Sequence, residues 1–394
     1  MKFRTLPVFL AFLAMGIADA MGPLSDAVKT QFQISNVVAT LMSFFVFIAF
    51  AVFSVPSGLL AARIGKKNLL LLGLGLNAAA CLVPWVLKLP ATSMYSYPLL
   101  LGCIFLLGIG TTFLQVSGNP IMRDVSPAGA YSRNLSFAQG IKGIGSTVST
   151  YLVTAVTGIA LFTGMGWRAS FPLFCILMAV SFLFVAFLKV KETKADVPPS
   201  LGSSLGLLKS PVFFMAVLGI FLYVGAEVCM ARFLKPVQES IGMSAETATK
   251  FGPALFFLLL TVGRLLGGVV LTAVNPRNFF RISALFGLAG AALLMTGSAP
   301  LAIAGVIAGG LGFANIWPLL FSITVEEKPE CANELSGLMC MAISGGALIP
   351  LVMSRLVDLN MKSMSFVVPV ICFAYLLLLS LRGGKKAIAA VPAR

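Results

Sequence analysis

The chain reads as a succession of apolar runs of about 20 residues separated by short polar breaks, and each run has the length a helix needs to cross a hydrocarbon core. Twelve runs can be drawn, near residues 6–27, 37–62, 68–88, 97–122, 134–161, 168–189, 211–235, 249–274, 279–297, 301–325, 334–356 and 364–382. The longest interruption, KVKETKADVPPSLGSSLGLLKS, is rich in Lys, Pro and Ser and divides the runs into two sets of six. The pattern predicts an all-α membrane protein of twelve transmembrane helices. An N-terminal six-helix bundle (1–189) is followed by a cytoplasmic linker (190–210) and a C-terminal six-helix bundle (211–394).

The two sets repeat each other weakly at an offset of about 200 residues. GIGTTFLQ (108–115) in span four aligns with GLGFANIW (310–317) in span ten, and AQGIKGIG in span five falls opposite AISGGALI in span eleven. Two six-helix halves related by a pseudo-two-fold axis mark an alternating-access transporter, with the substrate held between the halves near mid-membrane.

Composition agrees: with 59% hydrophobic and 10% charged residues, a water-soluble domain would lack a polar surface. A net charge of +15 would suit nucleic acid, but most of the 28 Lys and Arg fall in short loops and termini on one side, Arg63, Lys66, Lys67 and Lys189 among them. That is the positive-inside pattern, and it predicts both termini in the cytoplasm, with lipid and not nucleic acid as the surrounding partner. The absence of histidine removes His-based catalysis and His metal sites. Seven scattered cysteines form neither a disulfide framework nor a metal site, and no Gly-x-Ser-x-Gly is present. No enzyme, metal or cofactor is expected. Ala18-Asp19-Ala20 imitates a signal-peptide cleavage site, but the match between halves requires an uncut first run. Trp85 and Trp167 stand at the outer ends of their spans, as interfacial anchors do, whereas Trp317 is mid-span.

Several short stretches resemble the major facilitator superfamily and, within it, the fucose–galactose–glucose:proton symporter family. GLLAARIGKK (58–67) is similar to the superfamily loop motif after span two, with Ala62 where an acid is usual. LQVSGNP (114–120), FLYVGAEV (221–228), GRLLGG (263–268), NIWPLLFS (315–322) and MAISGGALIP (341–350) resemble the family's segments in spans four, seven, eight, ten and eleven. The resemblance covers nearly the whole chain and implies symport of a monosaccharide with protons, or with sodium, by a protein that functions as a monomer. The family's two coupling acids fall on Gly22 and Gln115 here, and neither titrates.

The ionisable residues inside the runs are therefore informative. They are Asp19, Glu227, Lys142, Arg232 and Arg264, and charge at bilayer depth usually has a partner and a role. Asp19 precedes Gly22 by one helical turn, so it either takes over coupling or only neutralises Lys142. Glu227 lies in a stretch the family shares and either couples or pairs with Arg232. Arg264 is expected to bond a neighbouring helix where span eight packs. Gln139, Lys142, Ser146 and Ser149 form a polar stripe on span five. Lys142 sits about 12–14 Å in from its cytoplasmic end. Gln115 and Asn315 lie at similar depth, and with Gln139 and Trp317 they suit a sugar. Amides exchange hydrogen bonds with hydroxyls, and indole stacks on the apolar face of the ring. The alternative for each amide is a helix–helix hydrogen bond. An unpaired Lys142 would instead favour an anionic sugar or sugar acid. Asn119-Pro120 reads as a helix-bending element.

Overall fold

In the computed structural model, residues 5–89, 93, 95–155, 165–193 and 199–381 are described, and every regular element among them is a helix. The first half contains span one (Leu6–Met15, a 3-10 segment Gly16–Ala20, then Met21–Phe32), span two (Asn36–Ile64) and span three (Lys66–Val86). Span four (Ser96–Val125), span five (Tyr131–Ala155) and span six (Gly166–Ala169 leading into Ser170–Ala186) complete it. The second half contains span seven (Pro211–Ser240), span eight (Ala245–Thr249, a π-helical turn Lys250–Ala254, Leu255–Val270) and span nine (Pro276–Leu294). Span ten (Ala299–Ala314 and Ile316–Glu327), span eleven (Ala332–Met341, Ala342–Ser344, Gly345–Asp358) and span twelve (Ser363–Phe366 leading into Val367–Leu381) follow.

Nine of the described helices are long and apolar enough to cross a membrane on length and composition alone. Spans one, five and nine fall outside that set. Span one is interrupted, span five carries Ser132, Asn134, Gln139 and Lys142, and span nine carries Arg277, Asn278 and Arg281. Packing holds them in the bundle all the same: span one lies on five and six, span five on eight, and span nine on ten and twelve. Span one crosses span five backbone to backbone. A Cβ added at Gly145 would lie 2.2 Å from the Leu13 carbonyl oxygen, so no larger residue fits.

The interruptions follow from proline chemistry. Proline has no N–H, so in a helix the carbonyl four residues before it loses its donor, and the ring crowds that carbonyl. Pro23 removes the donor for Asp19 O, and the 3-10 segment Gly16–Ala20 falls there. Pro318 removes the donor for Ala314 O, and span ten breaks at Asn315 (φ −107°, ψ 2°). Pro120 does the same to Val116 O, yet span four continues unbroken through it.

The halves meet where spans two and four pack on span eleven and where span five packs on eight and ten. At this end the sequence expectation needs correcting, because Lys66 is not a solvated loop cation. It is buried and paired with Asp124, Nζ to Oδ2 2.5 Å, with both side chains 1% exposed. Asp124 follows the end of the apolar run 97–122, but the helix of span four runs on to Val125. The interruption after span six is also more than a tether. The Glu192 carboxylate accepts from the N–H groups of Lys66 (2.6 Å) and Lys67 (2.9 Å), capping the N-terminus of span three, where negative charge is favoured. Thr193 bonds Asp124 with both its N–H and its hydroxyl, and its carbonyl accepts from Lys66 Nζ at 2.9 Å. A short helix, Leu201–Gly206, then packs on spans two and eleven. Trp167 also departs from expectation. It is buried and donates from Nε1 to Gln31 Oε1 at 2.7 Å, whereas Trp85 is 39% exposed as an interfacial residue would be.

Removing one member of the Lys66–Asp124 pair leaves an uncompensated buried charge. Lys66→Met or Asp124→Asn is expected to cost about 3–5 kcal/mol, and Lys66→Met with Asp124→Leu to regain most of it. Unfolding of the purified protein in detergent measures this; additive losses in the double variant would contradict the pairing.

Candidate substrate and coupling site

Span five brings the first set of functional side chains to the contact between the halves. Gln139 Nε2 donates to Asn119 Oδ1 on span four at 3.3 Å, and the Tyr131 hydroxyl donates to the Asn119 carbonyl at 3.0 Å. Asn119 Nδ2 in turn faces Cys340 Sγ of span eleven at 4.0 Å. Asn119 is thus more than a neighbour of a bending proline: it joins spans four, five and eleven. One turn earlier, the Val116 carbonyl that Pro120 deprives of a donor accepts from Ser336 Oγ of span eleven at 2.7 Å. A second inter-half bond links Ser132 Oγ and Ser322 Oγ at 2.8 Å.

Lys142 is half-buried on the same stripe, three residues beyond Gln139, within electrostatic reach of Cys340. Its carbonyl accepts from Ser146 Oγ at 3.0 Å, and Ser149 Oγ donates to the Gly16 carbonyl at 3.2 Å. Span five therefore runs along the 3-10 segment that contains Asp19. The Asp19 backbone belongs to Gly16–Ala20, while its side chain lies outside the described residues.

The remaining expected ligands are all buried: Gln115 is 5% exposed, Gln139 2%, Asn315 1% and Trp317 5%. Gln139 spends its donor on Asn119, and Asn315 Nδ2 donates to the Gly263 carbonyl at 2.8 Å, so both serve helix contacts. Among the described hydrogen bonds, none joins Gln115 and Gln139 directly to Asn315 and Trp317. What three of the four share is an unanswered polar atom. Gln115 Oε1, Asn315 Oδ1 and Trp317 Nε1 are buried and have no hydrogen-bond partner within the protein. A buried group left so costs about 1–3 kcal/mol, and a bound hydroxylated ligand or water removes that cost. Ser136 Oγ on span five is in the same condition.

Glu227 is not paired with Arg232, which sits 5.7 Å from the Phe233 ring. Its Oε2 lies 3.6 Å from Arg264 Nη2, which also donates to the Tyr223 hydroxyl at 3.3 Å. Arg264 Nε donates to the Ala314 carbonyl at 3.1 Å, so the expectation that Arg264 bonds a neighbouring helix holds. Sequence reasoning missed Asn119, Ser336 and Tyr223 as members of these networks. For Ser336 the available signal was Pro120, four residues after the orphaned Val116 carbonyl; Asn119 and Tyr223 carried no such signal.

Two six-helix halves meeting along buried polar contacts, with broken helices at mid-span, define a membrane transporter rather than an enzyme. Residues 8–351 match the Major Facilitator Superfamily, and the chain belongs to that family. It is 28% identical to the glucose/galactose transporter of Brucella abortus biovar 1 (strain 9-941), over 98% of this chain and 95% of that protein. It is 21% identical to the L-fucose-proton symporter of Haemophilus influenzae, over 95% of each. Among solved structures, the E. coli fucose:proton symporter superposes with a TM-score of 0.82 at 19% identity, over 97% of this chain and 99% of that one.

Ser336→Ala removes the donor to Val116 O across the halves. A lost bond of about 1 kcal/mol is expected to raise the population open at this contact about fivefold. In a variant whose sole cysteine is Cys340, maleimide labelling should quicken by that factor; an unchanged rate would show that the bond does not hold the halves together.

Proposed function

We propose that this protein moves a neutral monosaccharide across a bacterial inner membrane in symport with protons, by alternating access between its two halves. The observation that carries the reading is the pair of buried, unanswered polar atoms at Gln115 and Trp317, which occupy equivalent positions in the internal repeat. A pseudo-two-fold axis puts such residues at one depth on opposite sides of the central path, where a sugar ring can accept Trp317 on one face and bond Gln115 with its hydroxyls. Relatives named for glucose, galactose and fucose support a neutral hexose or deoxyhexose over a sugar acid.

In this reading the bodies that move are residues 1–189 and 211–394, joined by 190–210, with both termini cytoplasmic and the monomer as the working unit. Val116–Ser336 and Ser132–Ser322 join the halves toward the end bearing the basic loops, which corresponds to a closed cytoplasmic face. Asp19 takes the proton, and Lys142, on the stretch of span five that runs along Gly16–Ala20, is the opposite charge it works with. Glu227 is the second carboxylate of the pathway, and sodium is the alternative coupling ion.

Proteoliposomes loaded with purified protein test this. Glucose, galactose or L-fucose should accumulate on an inward proton gradient, and Asp19→Asn should abolish accumulation while leaving exchange of labelled for unlabelled sugar. Trp317→Ala and Gln115→Ala should each weaken binding, the amide change by about 1–3 kcal/mol. Wild-type affinity in both variants would remove the site; accumulation by Asp19→Asn would move coupling elsewhere.

A further inference from the structure

We propose that Arg264 is the positioning residue that sets the bend of span ten and thereby aims Trp317, and that Glu227 anchors Arg264 for this purpose. The consequence for sugar rests on the site reading above, while the geometry stands without it. In a continuous helix the N–H of residue 318 would bond Ala314 O, and Pro318 has none. Arg264 Nε supplies the missing donor from span eight at 3.1 Å. Span ten answers in the opposite direction, Asn315 Nδ2 donating to Gly263 O at 2.8 Å. Residues 263–264 and 314–315 are therefore cross-bonded both ways across the break.

The surrounding sequence is shaped to allow this. A Cβ added at Gly263 would lie 2.7 Å from Ala314 Cβ, and one at Gly267 would lie 2.2 Å from Asn315 Oδ1. One turn of span eight is thus cleared for the break, which gives GRLLGG a physical reason. Gly268 presses in the same way on the Phe137 ring of span five, with 2.7 Å for an added Cβ, so the arrangement is fixed from the other half as well.

The far end of the guanidinium explains why this residue is an arginine. Arg264 is 8% exposed, and a cation so buried needs an anion. Nη2 finds Glu227 Oε2 at 3.6 Å and the Tyr223 hydroxyl at 3.3 Å, both on span seven. A guanidinium presents Nε–H and Nη–H in a rigid fork, so one side chain bonds a backbone carbonyl and faces a carboxylate at once. A lysine is a point charge and serves one of them. Glu227 on span seven and Arg264 on span eight therefore hold Ile316–Glu327 at its angle, and Trp317 is in the first turn of that segment.

The test reads Trp317 directly. In a Trp85→Phe, Trp167→Phe background Trp317 is the single tryptophan, and its emission is recorded without sugar before glucose is titrated. Arg264→Lys keeps the charge beside Glu227 and gives up the carbonyl. The emission is expected to shift, acrylamide quenching to change, and half-saturating glucose to rise about tenfold, as for one lost charge-assisted bond. Emission and affinity unchanged in Arg264→Lys would reduce Arg264 to a counter-ion of Glu227 and overturn the proposal. A second variant guards against simple misfolding. Adding Pro318→Ala to Arg264→Met restores an N–H for Ala314 O, so thermal stability should recover while glucose affinity should not, because the bend is gone. Stability unmoved by Pro318→Ala would equally overturn it. If the parent protein binds no glucose, the sugar reading fails, and the sugar-free emission still decides the role of Arg264.

Discussion

Inside a bilayer no water is available to answer a backbone carbonyl, and much of this structure can be derived from that single constraint. Pro23, Pro120 and Pro318 each take the helical donor away from a carbonyl at Asp19, Val116 and Ala314. An unanswered carbonyl costs about 1–3 kcal/mol, comparable to a whole side-chain contact, so neighbouring helices are selected to supply donors. Val116 is answered across the halves by Ser336, and Ala314 is answered within the second half by Arg264. The same chemical need thus yields one contact between the halves and one within the second half.

Burying Arg264 or Lys66 to make such contacts has its own cost, which the protein meets by giving each a carboxylate. Lys66–Asp124 is almost wholly excluded from solvent and is elaborated by Glu192 and Thr193 into a network of backbone and side-chain bonds. Arg264–Glu227 is looser at 3.6 Å, with the Tyr223 hydroxyl accepting from Arg264. Replacing a buried pair by apolar residues of similar volume is often neutral or stabilising, so net stability does not explain retaining them. Their use here is geometric. One fixes the end of span three against span four, and the other fixes the break in span ten.

The hydrophobic pattern was enough to read an all-helical bundle of twelve spans in two halves, because span length is imposed by the membrane and leaves a strong signal. Spans one, five and nine are the weaker runs, interrupted or carrying polar residues, yet each is still legible as an apolar run of about 20 residues. Burial of the four expected ligands was also legible from their mid-span positions. Bonding partners were not. Nothing in the linear order shows that Glu227 reaches Arg264 in preference to Arg232, five residues away on its own helix, or that Asn315 turns its amide onto Gly263. Lys66 looked like a loop cation because Asp124 lay just outside the apolar run, and the buried carboxylate that explains it is 58 residues distant. Such pairings depend on helix rotation and crossing, which apolar periodicity does not encode when lipid and protein faces are equally hydrophobic.

The central claim is that Gln115 and Trp317, whose buried polar atoms have no partner within the protein, form the sugar site, and that Arg264 on the Ala314 carbonyl orients Trp317. A structure of the protein with glucose bound, at a resolution that shows ring pucker, tests it most directly. The account predicts the ring against the Trp317 indole, a hydroxyl donating to Gln115 Oε1, the indole N–H donating to a second oxygen, and Arg264 Nε still on Ala314 O. Glucose bound away from residues 115 and 317, or bound there with Arg264 turned off the Ala314 carbonyl, would contradict it.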